Sequence, residues 1–193
     1  ECKRLGIEVL RPDVNFSFKK FSVEDGGIRF GLLGIKGIGA GVIESIVEAR
    51  NRDGDFKNLK DFITRVSDIK SNTLNKRALE GLIRSGSLDS IIPSRAKAIC
   101  VYEDILSSHV QEQKRNIQGQ FDLFGGVMEE SEDYDISYPN VPEFSSKELF
   151  EMEKESTGIY ITGHPLEEYQ ETISRINTYS IAEIKSHDET ENH

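Results

Sequence analysis

The stretch Leu32-Leu33-Gly34-Ile35-Lys36-Gly37-Ile38-Gly39-Ala40-Gly41-Val42-Ile43-Glu44-Ser45-Ile46-Val47-Glu48-Ala49-Arg50 restricts the fold more than any other. Val42, Ile43, Ile46, Val47 and Ala49 recur at helical spacing and give one apolar face. The pattern predicts a short helix, a tight turn at Gly37-Ile38-Gly39 and a longer amphipathic helix. Gly37 and Gly39 lack a Cβ, so each is free to take positive φ and to leave its N–H bare. These amides stand just before a helix start, where orphan donors and the helix dipole favour an anion. Lys36 adds a mobile positive charge. The backbone phosphate of a nucleic acid fits such a place, and its contacts read no base. The candidate residues are Lys36, Gly37, Ile38, Gly39, Ala40 and Gly41. The longer glycine spacings of nucleotide-binding loops are absent.

Ile35-Lys36-Gly37-Ile38-Gly39 resembles the helix-hairpin-helix motif, an apolar residue and a spacer followed by Gly-apolar-Gly. The competing reading is that the two glycines only end one helix and open the next. Leu74 to Ile91 reads as a second, degenerate motif, with Leu79, Leu82 and Ile83 facing inward and Gly86 in the hairpin. Lys76, Arg77, Arg84 and Gly86 are its candidate phosphate contacts. It lacks the Gly-apolar-Gly pair, so a purely structural helical hairpin competes with a DNA contact there.

Charge distribution sharpens the reading. The chain carries a net charge of -10, which taken whole opposes nucleic-acid binding. Residues 28–100, which contain both hairpins, are nevertheless basic, and residues 101–193 are strongly acidic. The basic part suits a moderate phosphate footprint, and the acidic part faces solvent or protein. No run approaches a membrane span and no signal peptide opens the chain. Cys2 and Cys100 lack metal-ligand neighbours, the four histidines form no cluster, and a reduced cytoplasmic setting follows. The chain starts without Met inside a helix-like turn stopped at Gly6, and is read as a piece of a longer protein.

The remaining elements follow in order. Ile7–Leu10 is extended, and Phe18–Val23 and Ile28–Phe30 read as strands joined by Glu24-Asp25-Gly26-Gly27. Asn51–Asp55 reads as a loop. Asn58 caps a helix over Leu59–Val66. Pro93 opens a long helix to about Asn116, with His109 packed on its apolar stripe. Ser145 and Glu148 form a capping box for a helix to about Ser156. His164 before Pro165 is a turn residue, and Leu166–Ile176 is helical. Between the long helix and the capping box lies Gly119-Gln120-Phe121-Asp122-Leu123-Phe124-Gly125-Gly126, followed by an acidic run. Exposed aromatics on such a tether suit a docking peptide, with packing on the chain's own core as the competing reading.

Several pieces in order resemble the C-family replicative polymerases, the bacterial DNA polymerase III alpha subunits. They are Cys2-Lys3-Arg4-Leu5-Gly6-Ile7, Pro12-Asp13-Val14-Asn15, Ile28-Arg29-Phe30-Gly31-Leu32, Leu74-Asn75-Lys76-Arg77-Ala78-Leu79, Glu153-Lys154-Glu155-Ser156-Thr157-Gly158 and Gly163-His164-Pro165-Leu166. The resemblance implies a mostly α chain: a tandem helix-hairpin-helix domain with a small β-hairpin and an extended linker. In that reading residues 1–27 end the fingers and 28–117 form the tandem domain. Residues 118–144 are then the linker and 145–193 the lead-in to an OB domain. The palm, with its aspartates and Mg2+, lies upstream, so neither catalytic residues nor a cofactor is expected here. The family also makes Gln120, Phe121, Asp122, Leu123 and Phe124 similar to its sliding-clamp-binding pentapeptide. Phe121 stands where Leu is frequent.

The function expected is that of a non-catalytic portion of a DNA-directed DNA polymerase, cytoplasmic and at the bacterial nucleoid. Its partners would be duplex DNA, the sliding clamp and other holoenzyme subunits, with no membrane. The alternative is a protein-interaction scaffold whose helical pairs pack polymerase domains and never touch DNA. A free-standing enzyme has no nucleophile, metal cluster or carboxylate pair to rest on.

Overall fold

The computed structural model describes residues 2, 4–24, 26–69, 74–117 and 136–176. Residues 1–162 form one compact unit and residues 163–193 a second. The pentapeptide Gln120–Phe124 lies outside the described residues.

In the first unit a three-stranded sheet precedes the helices. β1 (Val9–Leu10) runs parallel to β3 (Gly27–Arg29), which pairs antiparallel with β2 (Ser22–Glu24), giving the order β1-β3-β2. Val9 lies opposite Ile28, and Val23 opposite the same residue on the other side. The strand expected from Phe18 shrinks to Ser22–Glu24, because Phe18 and Lys19 turn their carbonyls to the N–H groups of Leu32 and Leu33.

A turn of 3-10 helix (Leu32–Gly34) leads through the Gly-Ile-Gly hairpin into α1 (Ala40–Asp53). α1 takes in Asn51–Asp53, which the sequence reads as loop, and stops at Gly54, whose N–H donates to Arg50 O. α2 (Leu59–Ile69) starts where Asn58 Oδ1 accepts the Asp61 N–H at 2.9 Å, and it outruns the expected end at Val66. α3 (Lys76–Arg84) is capped by Asn75, whose side chain accepts from Ala78 N. α4 (Arg95–Ile117) begins two residues after Pro93, because Ser94 is the residue whose Oγ accepts the Lys97 N–H. α5 (Ser146–Thr157) opens with the expected capping box of Ser145 and Glu148.

α1 packs on α2, α4 on both α2 and α3, and α5 on α3. The apolar positions of both hairpins meet in one core: Ile35, Ile38, Ile43 and Ile46 from the first, Leu79, Leu82, Ile83 and Leu88 from the second. Phe62 and Ile63 of α2 are fully buried between them. Each such side chain is worth roughly 1.5–3 kcal/mol on burial, so the two hairpins fold as one body. No helix among the described residues is long and apolar enough to cross a membrane. In the second unit a 3-10 turn (Glu167–Tyr169) continues into α6 (Gln170–Arg175), and the Leu166 N–H donates to His164 Nδ1 at 3.1 Å, a turn role for that histidine.

One long-range contact is absent from any local pattern. Glu143 sets its two carboxylate oxygens on the first amides of α4, accepting from Arg95 N at 2.8 Å and Ala96 N at 2.9 Å. Burial pushes this carboxyl up, but the amides of Ala96, Phe144 and Arg95 with the Arg95 charge outweigh it and hold its pKa below the ordinary 4.5. A depressed acid stabilises the fold above its unfolded pKa and loses that contribution as pH falls through the folded value. Glu143→Gln should therefore cost about 1 kcal/mol at neutral pH. It should also flatten the loss of stability below pH 4.5, as read by urea unfolding across a pH series.

Candidate nucleic-acid interface

The first hairpin presents a row of unused donors. Lys36, Gly37, Gly39 and Ala40 are exposed, Gly41 is half-buried, and Ile38 turns inward into the core. Gly37 has φ +85°, where an L side chain is strained, so glycine is required at the corner. Gly39 departs from expectation: it is extended, with φ -79° and ψ 154°, and serves as the N-cap of α1. Its value there is the open space around it, since a Cβ would meet nothing within 4 Å.

Among the described residues, nothing accepts a hydrogen bond from the N–H groups of Gly37, Ile38, Gly39, Ala40 or Gly41. α2, α3, α4 and α5 each have a side-chain oxygen on their first amides, from Asn58, Asn75, Ser94 with Glu143, and Ser145. α1 has none and carries no acidic residue in its first turn. Glu44, in the next turn, is paired with Lys19 at 3.1 Å. The donors thus face outward at the positive end of a 14-residue helix.

The second set of candidates is divided. Arg77 lies against the first hairpin: a Cβ on Gly37 would stand 3.3 Å from Arg77 Nε, and Arg77 is exposed with no carboxylate partner among the described residues. It joins Lys36 and the free amides as one cationic cluster. Lys76 is paired with Glu103, and Arg84 with Glu155. Gly86 is buried with φ +77°, and its N–H donates to Ile83 O at 3.0 Å. Arg95 covers it, a Cβ at 86 falling 2.1 Å from Arg95 Nη2. The Gly86 amide is therefore not offered to a phosphate, because the protein already uses it.

Arg95 is a residue that sequence reasoning missed. It is 3% exposed and forms a bidentate pair with Asp89, Nε to Oδ1 at 2.9 Å and Nη2 to Oδ2 at 2.8 Å. Nη1 donates to Arg84 O, and Nη2 reaches Glu153 Oε1 at 3.4 Å. Burial opposes its charge, but Asp89 and Glu153 outweigh that and raise its pKa.

The comparisons with known proteins fit this geometry. Residues 6–98 match a family model described as a helix-hairpin-helix motif. The chain is 40% identical, over 95% of its length, to the DNA polymerase III subunit alpha of Vibrio cholerae, and spans 16% of that protein. The subunits of Escherichia coli K12 and Borreliella burgdorferi are also 40% identical, over 91% and 94% of the chain, which spans 15% and 16% of them. Two paired helical hairpins around a glycine turn make this a helix-hairpin-helix chain. Within that class it belongs to the DNA polymerase III alpha subunit family, corresponding to about one sixth of the length of those relatives.

Proposed function

We propose that the chain is a non-catalytic part of a replicative DNA polymerase, which grips duplex DNA through the first hairpin. The observation that carries this reading is the uncapped start of α1, with the Gly37–Gly41 amides free beside Lys36 and Arg77. Amide donors and mobile cations bind phosphate oxygens irrespective of the base attached. Such a grip suits an enzyme that must hold every sequence it copies. Lys76, Arg84 and Gly86 take no direct part in this grip. The polymerase works in the bacterial cytoplasm, at the nucleoid, alongside the other subunits of its holoenzyme.

The test removes one donor without disturbing the fold. Ala40 is the first residue of α1, a position that accepts Pro, and Gly39 before it is already extended as Pro requires. Ala40→Pro should keep the unfolding midpoint and weaken duplex binding about tenfold, the worth of one hydrogen bond to a charged group. The slope of log affinity against log salt should be about -0.9 for each phosphate neutralised, and equal for unrelated sequences. A flat salt dependence would instead assign the helical pairs to packing against protein.

The second part of the proposal is the sliding clamp. Gln120, Phe121, Asp122, Leu123 and Phe124 would enter its peptide pocket, with Leu123 and Phe124 as anchors. Burial of the pair is worth roughly 1.5–3 kcal/mol each, less the cost of ordering the segment. Leu123→Ala with Phe124→Ala should abolish capture of the chain by immobilised clamp. Undiminished capture would place the contact elsewhere.

A further inference from the structure

We infer that α5 is a positioning element for the phosphate-facing loop, fastened through the buried pair of Glu153 and Arg95. The inference rests on the phosphate reading above and names what sets that loop in place. Among the described residues, the Lys36 N–H is the one backbone donor from Lys36 to Gly41 that finds an acceptor, and it is held by Ser156 O, near the end of α5, at 2.7 Å. Ser156 thus fixes where the row of free amides begins.

What holds α5 differs from what holds the other helices. Its buried residues are Glu153 and Ser156, both polar, with Leu149, Phe150 and Met152 only half-buried, whereas α1, α2 and α3 are seated by several buried aliphatic side chains each. Glu153 is 1% exposed. Its carboxylate takes Arg95 Nη2 at 3.4 Å, the Thr162 N–H at 3.1 Å and the Thr162 hydroxyl at 2.8 Å. Outside this buried centre, Arg84 of α3 pairs with Glu155 of α5. A connected path therefore runs from Asp89 and Arg84 of the second hairpin, through Arg95 and Glu153, along α5 to Ser156 and the Lys36 amide. The second hairpin, whose own glycine is covered, acts on the DNA through the first. A seat made of charge and hydrogen bonds is lost abruptly when one partner goes, so α5 holds the loop in place or frees it.

The experiment follows the Lys36 amide by hydrogen exchange in the full chain, with a mixed-sequence DNA duplex as the binding probe. Glu153→Gln should speed Lys36 exchange at least tenfold while Ile46 and Ile63, in the core of α1 and α2, keep their protection. Duplex affinity should fall at least threefold. Unchanged exchange at Lys36 would overturn the inference, as would a freed Lys36 amide with unchanged affinity. If Glu153→Gln loosens Ile46 and Ile63 as well, the exposed Glu155→Gln decides. It leaves the buried centre intact, and faster exchange confined to Lys36 supports the role of α5, while no change refutes it. Parent protein that binds duplex without salt dependence refutes the phosphate reading, and the exchange result alone then judges the fastening of α5.

Discussion

Arg95→Ala should lower the stability of the folded chain by about 3–5 kcal/mol, the cost typical of removing one partner from a buried ion pair. The size follows from what is left behind. Glu153 would keep the Thr162 donors but lose its counter-charge at a site with 1% exposure. Asp89 would lose both arms of its bidentate partner and, among the described residues, retain Arg11, at 3.0 Å on the surface. Arg84 O would lose its donor. Urea unfolding should show a lower midpoint at unchanged slope. Combining Arg95→Met with Glu153→Leu should restore much of the loss, because a well-packed apolar pair needs no desolvation of charge. A loss below about 1 kcal/mol for Arg95→Ala would mean that water reaches Glu153 and that the pair contributes as a surface bridge does.

Gly86→Val should be nearly as damaging, at about 3 kcal/mol or more. Positive φ on a β-branched residue costs of order 1–3 kcal/mol by itself. The added Cβ would then lie 2.1 Å from Arg95 Nη2 and 2.9 Å from its Cζ, so the guanidinium must leave Asp89. The two losses share a partner and should not add: in an Arg95→Ala background Gly86→Val should cost little more than its backbone strain. A double-mutant cycle by urea unfolding measures the shared part, and full additivity would show that Arg95 yields without leaving its pairs. Gly39→Ala is the contrasting case, since its Cβ meets open space at an ordinary φ. It should lower stability by no more than about 1 kcal/mol, as expected for an N-cap glycine.

The parts of this molecule that were legible in the sequence are those that local chemistry decides. The glycine corner at Gly37, the apolar face of α1, the Asn58 cap and the Ser145–Glu148 box are settled within a few residues of themselves. The grouping of cations was not legible. Lys76, Arg77 and Arg84 are neighbours on α3, yet the first and last are drawn to Glu103 and Glu155, 27 and 71 residues away, while Arg77 turns to Gly37. Charges choose partners by tertiary distance, which helical spacing does not encode. Gly86 shows the same limit: its positive φ agrees with a hairpin glycine, but its cover is an arginine from the next helix. Arg50 is a third instance, a buried guanidinium satisfied by the carbonyls of Val14 and Ser17, more than 30 residues upstream.

The seating of Glu143 on the first turn of α4 changes the mechanics of everything between them. The chain leaves α4 at Ile117 and must come back to the opposite end of the same helix, about 34 Å away for its 23 residues. On its return the chain is tied down before α5 is reached, by Ile136 packed against the core and by Glu143 on the first turn of α4. Under the clamp reading proposed above, a partner bound between these ties would be held by a segment fixed at both ends, which limits how far it can move from the body. Any pull on that partner would be divided between the far end of α4 and the Ile136–Glu143 tie.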